Sequence, residues 1–413
     1  MIRTVKNNQS PRIAYVVTVD LAMRFLEGQI AFLVRNGFEV HVVCSPGPRL
    51  EAMRREGATP WAVNMKREIA IASDVLSLWR LWRLFRLIRP DIVVAGTPKA
   101  GLLGTLAARL AAVPYVQYTL HGLRFETAAR TKRLILMGVE WISCHAADGV
   151  CCVGPSLLAR VVALGLAPAA RCKIIGNGTS DGIAIERYAA AAQAKFEAKQ
   201  IRRELHIPAD APVLGFVGRY TRDKGIRELY EAFTRLQGRF PGLRLLLVGD
   251  FEPGDPVSAE LRARIEANPA VIRAGFVDDV ERFYWAMDVM ALPTYREGFG
   301  TVLLEAQAAS VPVVTTNATG AIDAIVDGET GLCVPVRDAA ALTAALDRLL
   351  GDAELRSRMG AAGRIWVEKN FRREDVWRGV LTHYRSLLGV NQDQVTSRSH
   401  IGNREIFNVQ ERN

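Results

Sequence analysis

The sequence predicts an α/β protein of two doubly wound, Rossmann-like domains facing across a cleft. Three observations carry this. Short apolar, β-branched runs recur along the chain, each is followed by a helix-like stretch, and the series restarts near the middle. Continuous apolar runs with helices between them indicate a parallel sheet buried on both faces. Two such βα series in one chain give two doubly wound domains. A length of 413 residues exceeds one ordinary hydrophobic core and suits two domains plus a tail.

In the first half the runs are RIAYVVT (12–18), FEVHVVC (38–44), DIVVAG (91–96), YVQYT (115–119), DGVCCV (148–153) and CKIIG (172–176). In the second they are PVLGFVG (212–218), LRLLLVG (243–249), VIRAG (271–275), MDVMALP (287–293) and PVVTT (312–316). The Gly-rich turn GNGTSDG (176–182) marks the join. The predicted divisions are a first domain at 1–183, a second at 184–370, a helix at 371–389 crossing back to the first domain, and a polar, aperiodic tail at 390–413.

Composition narrows the function classes. Hydrophobic residues at 49% and charged residues at 23% exclude wholesale disorder, and a net charge of +10 points to anionic partners without choosing among them. The six cysteines form no C-x-x-C pair and no zinc-ligand spacing, which fits a reducing compartment. Arg3 and Lys6 precede an apolar run too short for a signal sequence. No stretch of about 18 apolar residues is free of charge. The expected location is the cytoplasm, with peripheral contact at the inner face of the membrane. The helix DVLSLWRLWRLFRLIR (74–89) suggests the contact, because Arg80, Arg83, Arg86 and Arg89 stand among Leu, Ile, Trp and Phe. The same helix equally reads as a crossover helix with snorkelling arginines.

Three segments carry the chemistry. In MDVMALPTYREGFGTVLLEAQ a buried strand ends at Pro293 and a helix starts near Thr301, where ligands of doubly wound folds bind. Gly298 and Gly300 allow close approach of the backbone, and the helix start offers free N–H groups to an anion. Glu305 lies one turn into that helix on the face of Thr301. A carboxylate there is repelled by phosphate unless it faces the sugar, which suits Glu297 to sugar hydroxyls or developing charge at C1 and Glu305 to ribose. Alternatively, Glu297 complements the helix dipole. In GRYTRDKG (218–225), Arg219 and Lys224 supply two cations on one βα loop, as a diphosphate needs, with Arg222 and Asp223 as surface residues of the turn. A solvated charged loop is the other reading. In YTLHGLRFET, His121 stands at a strand end and is followed by a glycine. Lys99, in TPKAGLLG, could meet a phosphate or the acceptor, or be a solvated helix-start residue.

Together these residues resemble glycosyltransferase family 4, retaining enzymes of GT-B fold. GRYTRDKG matches the family's G-R-x-x-x-x-K-G, Glu297 and Glu305 match its E-x-F-G-x-x-x-x-E, and His121-Gly122 matches its His-Gly pair, all within about residues 11–388. TPKAGLLG, HGLRFET and GNGTSDGI look most like the branch that builds capsular and exopolysaccharide units on polyprenyl-diphosphate carriers, as in O-antigen synthesis. The resemblance implies catalytic roles for Glu297 and His121. It places the donor diphosphate at Arg219, Lys224, Gly300, Thr301 and Val302. The donor sugar falls to Glu297, Phe299, Gly300 and His121, the ribose to Glu305, and the base to backbone at Phe276 and Val277. The implied partners are a nucleotide-sugar donor, a lipid-linked saccharide acceptor and an anionic membrane surface, with no nucleic acid. Two departures are the lack of a Gly-Gly pair in TVDLAMRF (18–25) and Ala184 in place of an acid after GNGTSDGI.

No Asp-x-Asp motif is present, so metal-independent transfer without a cofactor is expected, with Arg219, Lys224 and the helix start supplying the positive field. A front-face mechanism is inherited from the family. The rival readings are a nucleotide-sugar epimerase of the same fold and a non-catalytic, membrane-associated partner of a polysaccharide complex. A dehydrogenase is disfavoured because no G-x-G-x-x-G follows a strand and opens a helix.

Overall fold

The structure, a computed structural model, describes residues 10–389 apart from 67, 69, 189 and 190. The predicted tail, Arg3 and Lys6 lie outside the described residues. The first sheet holds β1 (Arg12–Val16), β2 (Glu39–Cys44), β3 (Thr59–Ala62), β4 (Ile92–Gly96), β5 (Tyr115–Leu120), β6 (Gly149–Cys152) and β7 (Cys172–Lys173), in the order β3-β2-β1-β4-β5-β6-β7. Register is parallel, with Ile13 of β1 opposite Val40 on one side and Ile92 on the other. The second sheet holds β8 (Val213–Val217), β9 (Arg244–Val248), β10 (Val271–Gly275), β11 (Val289–Leu292), β12 (Val313–Thr316) and β13 (Gly331–Val334), in the order β10-β9-β8-β11-β12-β13. Every neighbouring pair in it is parallel.

The eleven strands expected from apolar runs are present, with ends trimmed by up to a few residues. Two strands, β3 and β13, carry no such run, since TPWA and GLCV are short and sit at or near a sheet edge. An edge strand needs fewer buried side chains to hold it, so periodicity there is weak. Each sheet reverses strand order once, between β1 and β4 and between β8 and β11. Such a reversal opens a crevice at the carboxyl ends of the strands. The loops after β8 and β11 hold GRYTRDKG and TYREGFG.

The described chain forms two compact units, residues 10–118 with 146–149 and 377–389, and residues 119–145 with 150–376. In the first, helices Ile71–Ile88 and Pro98–Leu110 pack together over Val16, Val43, Val93 and Val116. Its C-terminal segment is fixed by Tyr384, whose hydroxyl lies 3.0 Å from that of Tyr15, and by His383, 2.7 Å from the Gln117 side-chain oxygen. The loop 18–25 becomes a short helical turn, Asp20–Leu26, and Asp20 accepts from the amides of Arg49 and Leu50 at 3.2 and 2.7 Å. In the second unit, helix Ile226–Leu236 packs on Ala339–Gly351, and Thr301–Ala308 on Ala353–Asn370. Among the described residues no helix is long and apolar enough to cross a membrane.

Helix Ile71–Ile88 is amphipathic in an unusual sense. It buries Ser77, Leu81, Leu84, Phe85 and Ile88, yet leaves Ile71, Val75, Leu76, Trp79 and Leu87 exposed beside its three arginines and the Arg89 that caps it. Arg83 lies 4.9 Å over the Trp79 ring and Arg86 5.8 Å over Trp82. The two faces should respond differently to truncation. Leu81→Ala is expected to cost about 2–5 kcal/mol through lost burial and a cavity. Trp79→Ala should cost no more than about 1 kcal/mol. Urea unfolding followed by circular dichroism compares them, and equal costs would contradict the assigned core face.

Candidate active site

Two loops of the second unit are tied together by backbone. After β8 the chain runs through Arg219 to a helical turn, Arg222–Lys224, and Gly225 opens the next helix with φ +70°. A Cβ on Gly225 would lie 2.0 Å from the Pro293 carbonyl oxygen, so only glycine permits this approach to the loop after β11. The amide of Tyr295 donates to the Asp223 carbonyl at 2.8 Å, and the Thr294 hydroxyl to the same oxygen at 3.1 Å. Asp223 is buried, contrary to its expected place on the surface. It accepts from Arg296 at 2.7 Å and from Thr221 at 2.6 Å. Burial favours a neutral carboxyl, but Arg296, the Thr221 hydroxyl, Lys224 and Arg219 outweigh it and hold the pKa below the usual carboxylate range. Arg222 is the surface residue of the turn and pairs with Asp255 at 3.2 Å.

The turn 297–300 is enclosed on further sides. The Glu297 amide donates to the Thr319 carbonyl at 2.8 Å. A Cβ on Gly298 would lie 2.5 Å from the His121 carbonyl oxygen, and one on Gly122 would lie 3.2 Å from the Glu297 carbonyl oxygen. Gly320 is similarly pressed against the carbonyl oxygens of Glu297 and Gly298. Its amide donates at 2.7 Å to the Ser156 hydroxyl, which in turn bonds Asp323 at 2.7 Å. The sequence does not mark Ser156, Asp323 or Arg296, and it marks Asp223 only as a surface residue of its turn. Nothing in their local spacing marks them, because their partners lie 73 and 167 residues away.

Lys224 and Glu297 form a shielded ion pair. Arg219 pairs with Glu252 at 2.6 Å and is about half exposed. Gly300, φ +74°, caps helix Thr301–Ala308, which has no acidic residue in its first turn. Its N-terminal amides therefore present a positive end. Thr301 and Val302 are part-exposed there. The Phe299 side chain is buried against Phe371, with ring centroids 5.3 Å apart. Glu305 accepts from the buried Tyr284 hydroxyl at 2.7 Å. His121 Nδ1 lies 3.0 Å from the Ser180 hydroxyl, and burial holds its pKa down to about 4. Phe276 is exposed just after β10, with Val277 part-buried beside it.

The structure thus brings His121, Lys224, Glu297 and Gly300 into one set of touching loops, with Glu305 a helical turn on. Lys99 lies in the first unit, where its ammonium donates to the Asp74 carboxylate at 2.7 and 2.9 Å and to the Glu68 carbonyl. That arrangement fixes helix Pro98–Leu110 to the start of Ile71–Ile88 and leaves Lys99 little exposed. Among the described residues, no group of three or more His, Cys, Asp or Glu side chains could hold a metal ion.

Comparison with known proteins follows the two halves. Residues 197–366 match the family described as glycosyl transferases group 1, and residues 23–178 the glycosyl transferase 4-like domain. A capsular polysaccharide biosynthesis glycosyltransferase of Staphylococcus aureus is 36% identical over 92% of this chain and 98% of its own length. A UDP-Gal:α-D-GlcNAc-diphosphoundecaprenol α-1,3-galactosyltransferase of Escherichia coli is 25% identical over 83% and 89%. Among solved structures, Anabaena HepE in complex with UDP and glucose has a TM-score of 0.74 at 18% identity, covering 92% of this chain and all (100%) of that one. A sucrose-phosphate synthase of Thermosynechococcus elongatus has 0.75 at 23% identity, covering 92% and 99%.

The His121 imidazole, part-buried and desolvated by its surroundings, gives a pH test. Its folded pKa of about 4 lies below the unfolded value near 6.5. Between the two, the unfolded chain binds a proton that the folded chain does not, so stability falls as pH drops from about 6.5 toward 4. The urea midpoint of the wild type should therefore fall more from pH 7 to pH 5 than that of His121→Gln. Ring-proton NMR should find His121 titrating near 4; a midpoint near 6.5 would contradict its burial.

Proposed function

The chain belongs to glycosyltransferase family 4, with the GT-B fold, and on that premise we propose that it is a retaining enzyme of surface-polysaccharide assembly. It moves a hexosyl or N-acetylhexosaminyl group from a nucleotide-diphosphate sugar, with UDP favoured, to a polyprenyl-diphosphate-linked glycan. The capsular and diphosphoundecaprenol relatives support the acceptor class. The UDP-bound structural neighbour supports the donor class. The observation that carries the reading is the convergence of Lys224, Glu297, the His121 backbone and the Gly300 helix start.

In this reading Arg219, Lys224 and the amides of Gly300, Thr301 and Val302 bind the diphosphate, and backbone at Phe276 and Val277 meets the base. Glu305 takes the ribose hydroxyls. Phe299 and Gly300 present backbone to the donor sugar, Glu297 lies near its reacting carbon, and neutral His121 serves as a hydrogen-bonding partner on the sugar side. The C1–O bond to phosphate breaks while the acceptor oxygen bonds C1 on the same face. The acceptor proton passes to the departing phosphate oxygen, and the positive groups stabilise that leaving charge. The enzyme works at the inner face of the membrane, and helix Ile71–Ile88, with exposed Trp79, three arginines and Arg89 at its end, docks there.

Two measurements test this. Arg219→Ala and Lys224→Ala should each weaken UDP binding about tenfold to a hundredfold by calorimetry, since each removes a charge-assisted contact. Unchanged affinity in both would move the phosphate site elsewhere. A panel of nucleotide sugars, incubated with and without polyprenyl-diphosphate-linked glycan, should release nucleotide on transfer to the glycan, equally in EDTA and in added magnesium. Loss in EDTA rescued by magnesium would contradict charge compensation by Arg219 and Lys224. A new nucleotide or sugar product formed without any acceptor would favour an epimerase.

A further inference from the structure

A cation-rich hollow lies in the second unit, apart from the residues assigned to the donor. Its volume is about 370 Å³, and its wall includes Arg133, Arg160 and Arg337 together with Thr127, Tyr295 and Asn317. Arg219 and Lys224 are not part of that wall. The one carboxylate there, Glu126, is already engaged, by Arg160 Nε at 3.0 Å and by the Thr319 hydroxyl at 3.3 Å. Among the described residues, Arg133 and Arg337 have no carboxylate partner. Three guanidinium groups against one carboxylate leave an excess of positive charge, and planar guanidinium forks match the oxygens of a phosphate.

The donors in this wall are held in place. The Asn317 side-chain oxygen accepts from the Val336 amide at 3.2 Å, which fixes the group and leaves its NH2 unpaired among the described residues. The Thr127 hydroxyl accepts from Arg296 Nε at 3.0 Å, so its own hydrogen is free to donate. Arg337 has φ +61°, a left-handed conformation that suits glycine and strains a residue with a side chain. Its guanidinium lies 4.7 Å from the centre of the Tyr295 ring, whose hydroxyl is anchored on Glu228 at 2.7 Å. An arginine kept in a glycine conformation and stacked on an anchored ring is positioned without an acidic partner. That is the arrangement an anion site needs before its ligand arrives.

We propose that this hollow binds a diphosphate group other than the donor's, namely that of the glycan acceptor. The hollow and the Glu297 turn share a wall. Tyr295 stands two residues before Glu297, which is about 7 Å of backbone at most. Thr319 bonds Glu126 through its hydroxyl, and its carbonyl accepts from the Glu297 amide at 2.8 Å. An acceptor anchored by its diphosphate among Arg133, Arg160 and Arg337 keeps its sugar within a ring or two of that turn. That the group belongs to an acceptor rests on the polyprenyl-diphosphate reading above, whereas the anion site rests on the three arginines and the fixed donors between them.

The test uses the full chain and two probes. The first is inorganic diphosphate, measured by calorimetry in an Arg219→Ala/Lys224→Ala background that removes the donor's cations. Adding Arg133→Gln/Arg337→Gln should weaken its binding by about tenfold or more. The second probe is the polyprenyl-diphosphate-linked glycan, used in transfer assays with the donor site intact. There Arg133→Gln/Arg337→Gln should raise the KM for the glycan by about tenfold or more and leave the affinity for UDP unchanged. Both side chains are exposed, and circular dichroism checks that the fold is kept. Arg133→Gln alone is the second variant and should show the same changes to a smaller degree. A folded double variant that binds inorganic diphosphate like its background overturns the proposal. UDP affinity that falls as far as diphosphate affinity assigns the hollow to the donor and overturns it too. Diphosphate binding lost with the glycan KM unchanged assigns the hollow to free phosphate and overturns the acceptor. Wild type that transfers nothing to the glycan, yet binds diphosphate through Arg133 and Arg337, sinks the polyprenyl-diphosphate reading and the acceptor with it, while the anion site stands.

Discussion

Backbone contact around the turn from Glu297 to Gly300 is the constraint on which the site depends. Gly122, Gly225, Gly298 and Gly320 each stand where a Cβ would meet another chain segment's carbonyl, at 3.2, 2.0, 2.5 and 2.5 Å. Three segments distant in sequence, around residues 121–122, 225 and 320, can therefore approach the loop from Pro293 to Gly300. The approach sets where the Glu297 carboxylate and the helix amides at Thr301 can be, since side chains supply little of the enclosure. Ser156 and Asp323 extend the same framework, with hydroxyl and carboxylate linking helix Pro155–Ala163 to the Gly320 amide.

Charge is arranged around this frame in pairs. Asp223 is buried with Arg296, Glu297 is shielded with Lys224, and Arg219 reaches Glu252 at the more exposed edge. A buried carboxylate without such a partner carries a heavy desolvation cost. The pairs hold these side chains in place, and Arg219 is their most exposed member. His121 differs because burial keeps it neutral, so it offers a hydrogen bond without adding charge.

The outer surfaces follow another logic. Helices Ile71–Ile88 and Arg130–Ala146 keep large apolar side chains in solvent next to arginines. Neither exposure helps a protein surrounded only by water. One protein this chain resembles is named for a diphosphoundecaprenol acceptor, and a lipid surface is the partner proposed for the exposed face of helix Ile71–Ile88.

The two βα series were legible because a strand buried on both faces must be apolar throughout, and eleven of the thirteen described strands carry such a run. The strands β3 and β13 were not legible, being short and marginal in the sheet. Glu297, Glu305, Arg219, Lys224 and His121 stand out locally because they lie in or next to glycine-containing loops at strand ends, where ligands of such folds are expected. The helix 74–89 looked apolar from sequence, yet which residues it buries depends on the sheet beneath it. The burial of Asp223, the pairing of Lys99 with Asp74 and the Ser156–Asp323 link came only from the fold. The sequence by itself determined the two sheets and the loops that carry charge, since both are written in local patterns. Tertiary structure alone decided which charges meet and which apolar faces stay uncovered, because those depend on residues brought together from far along the chain.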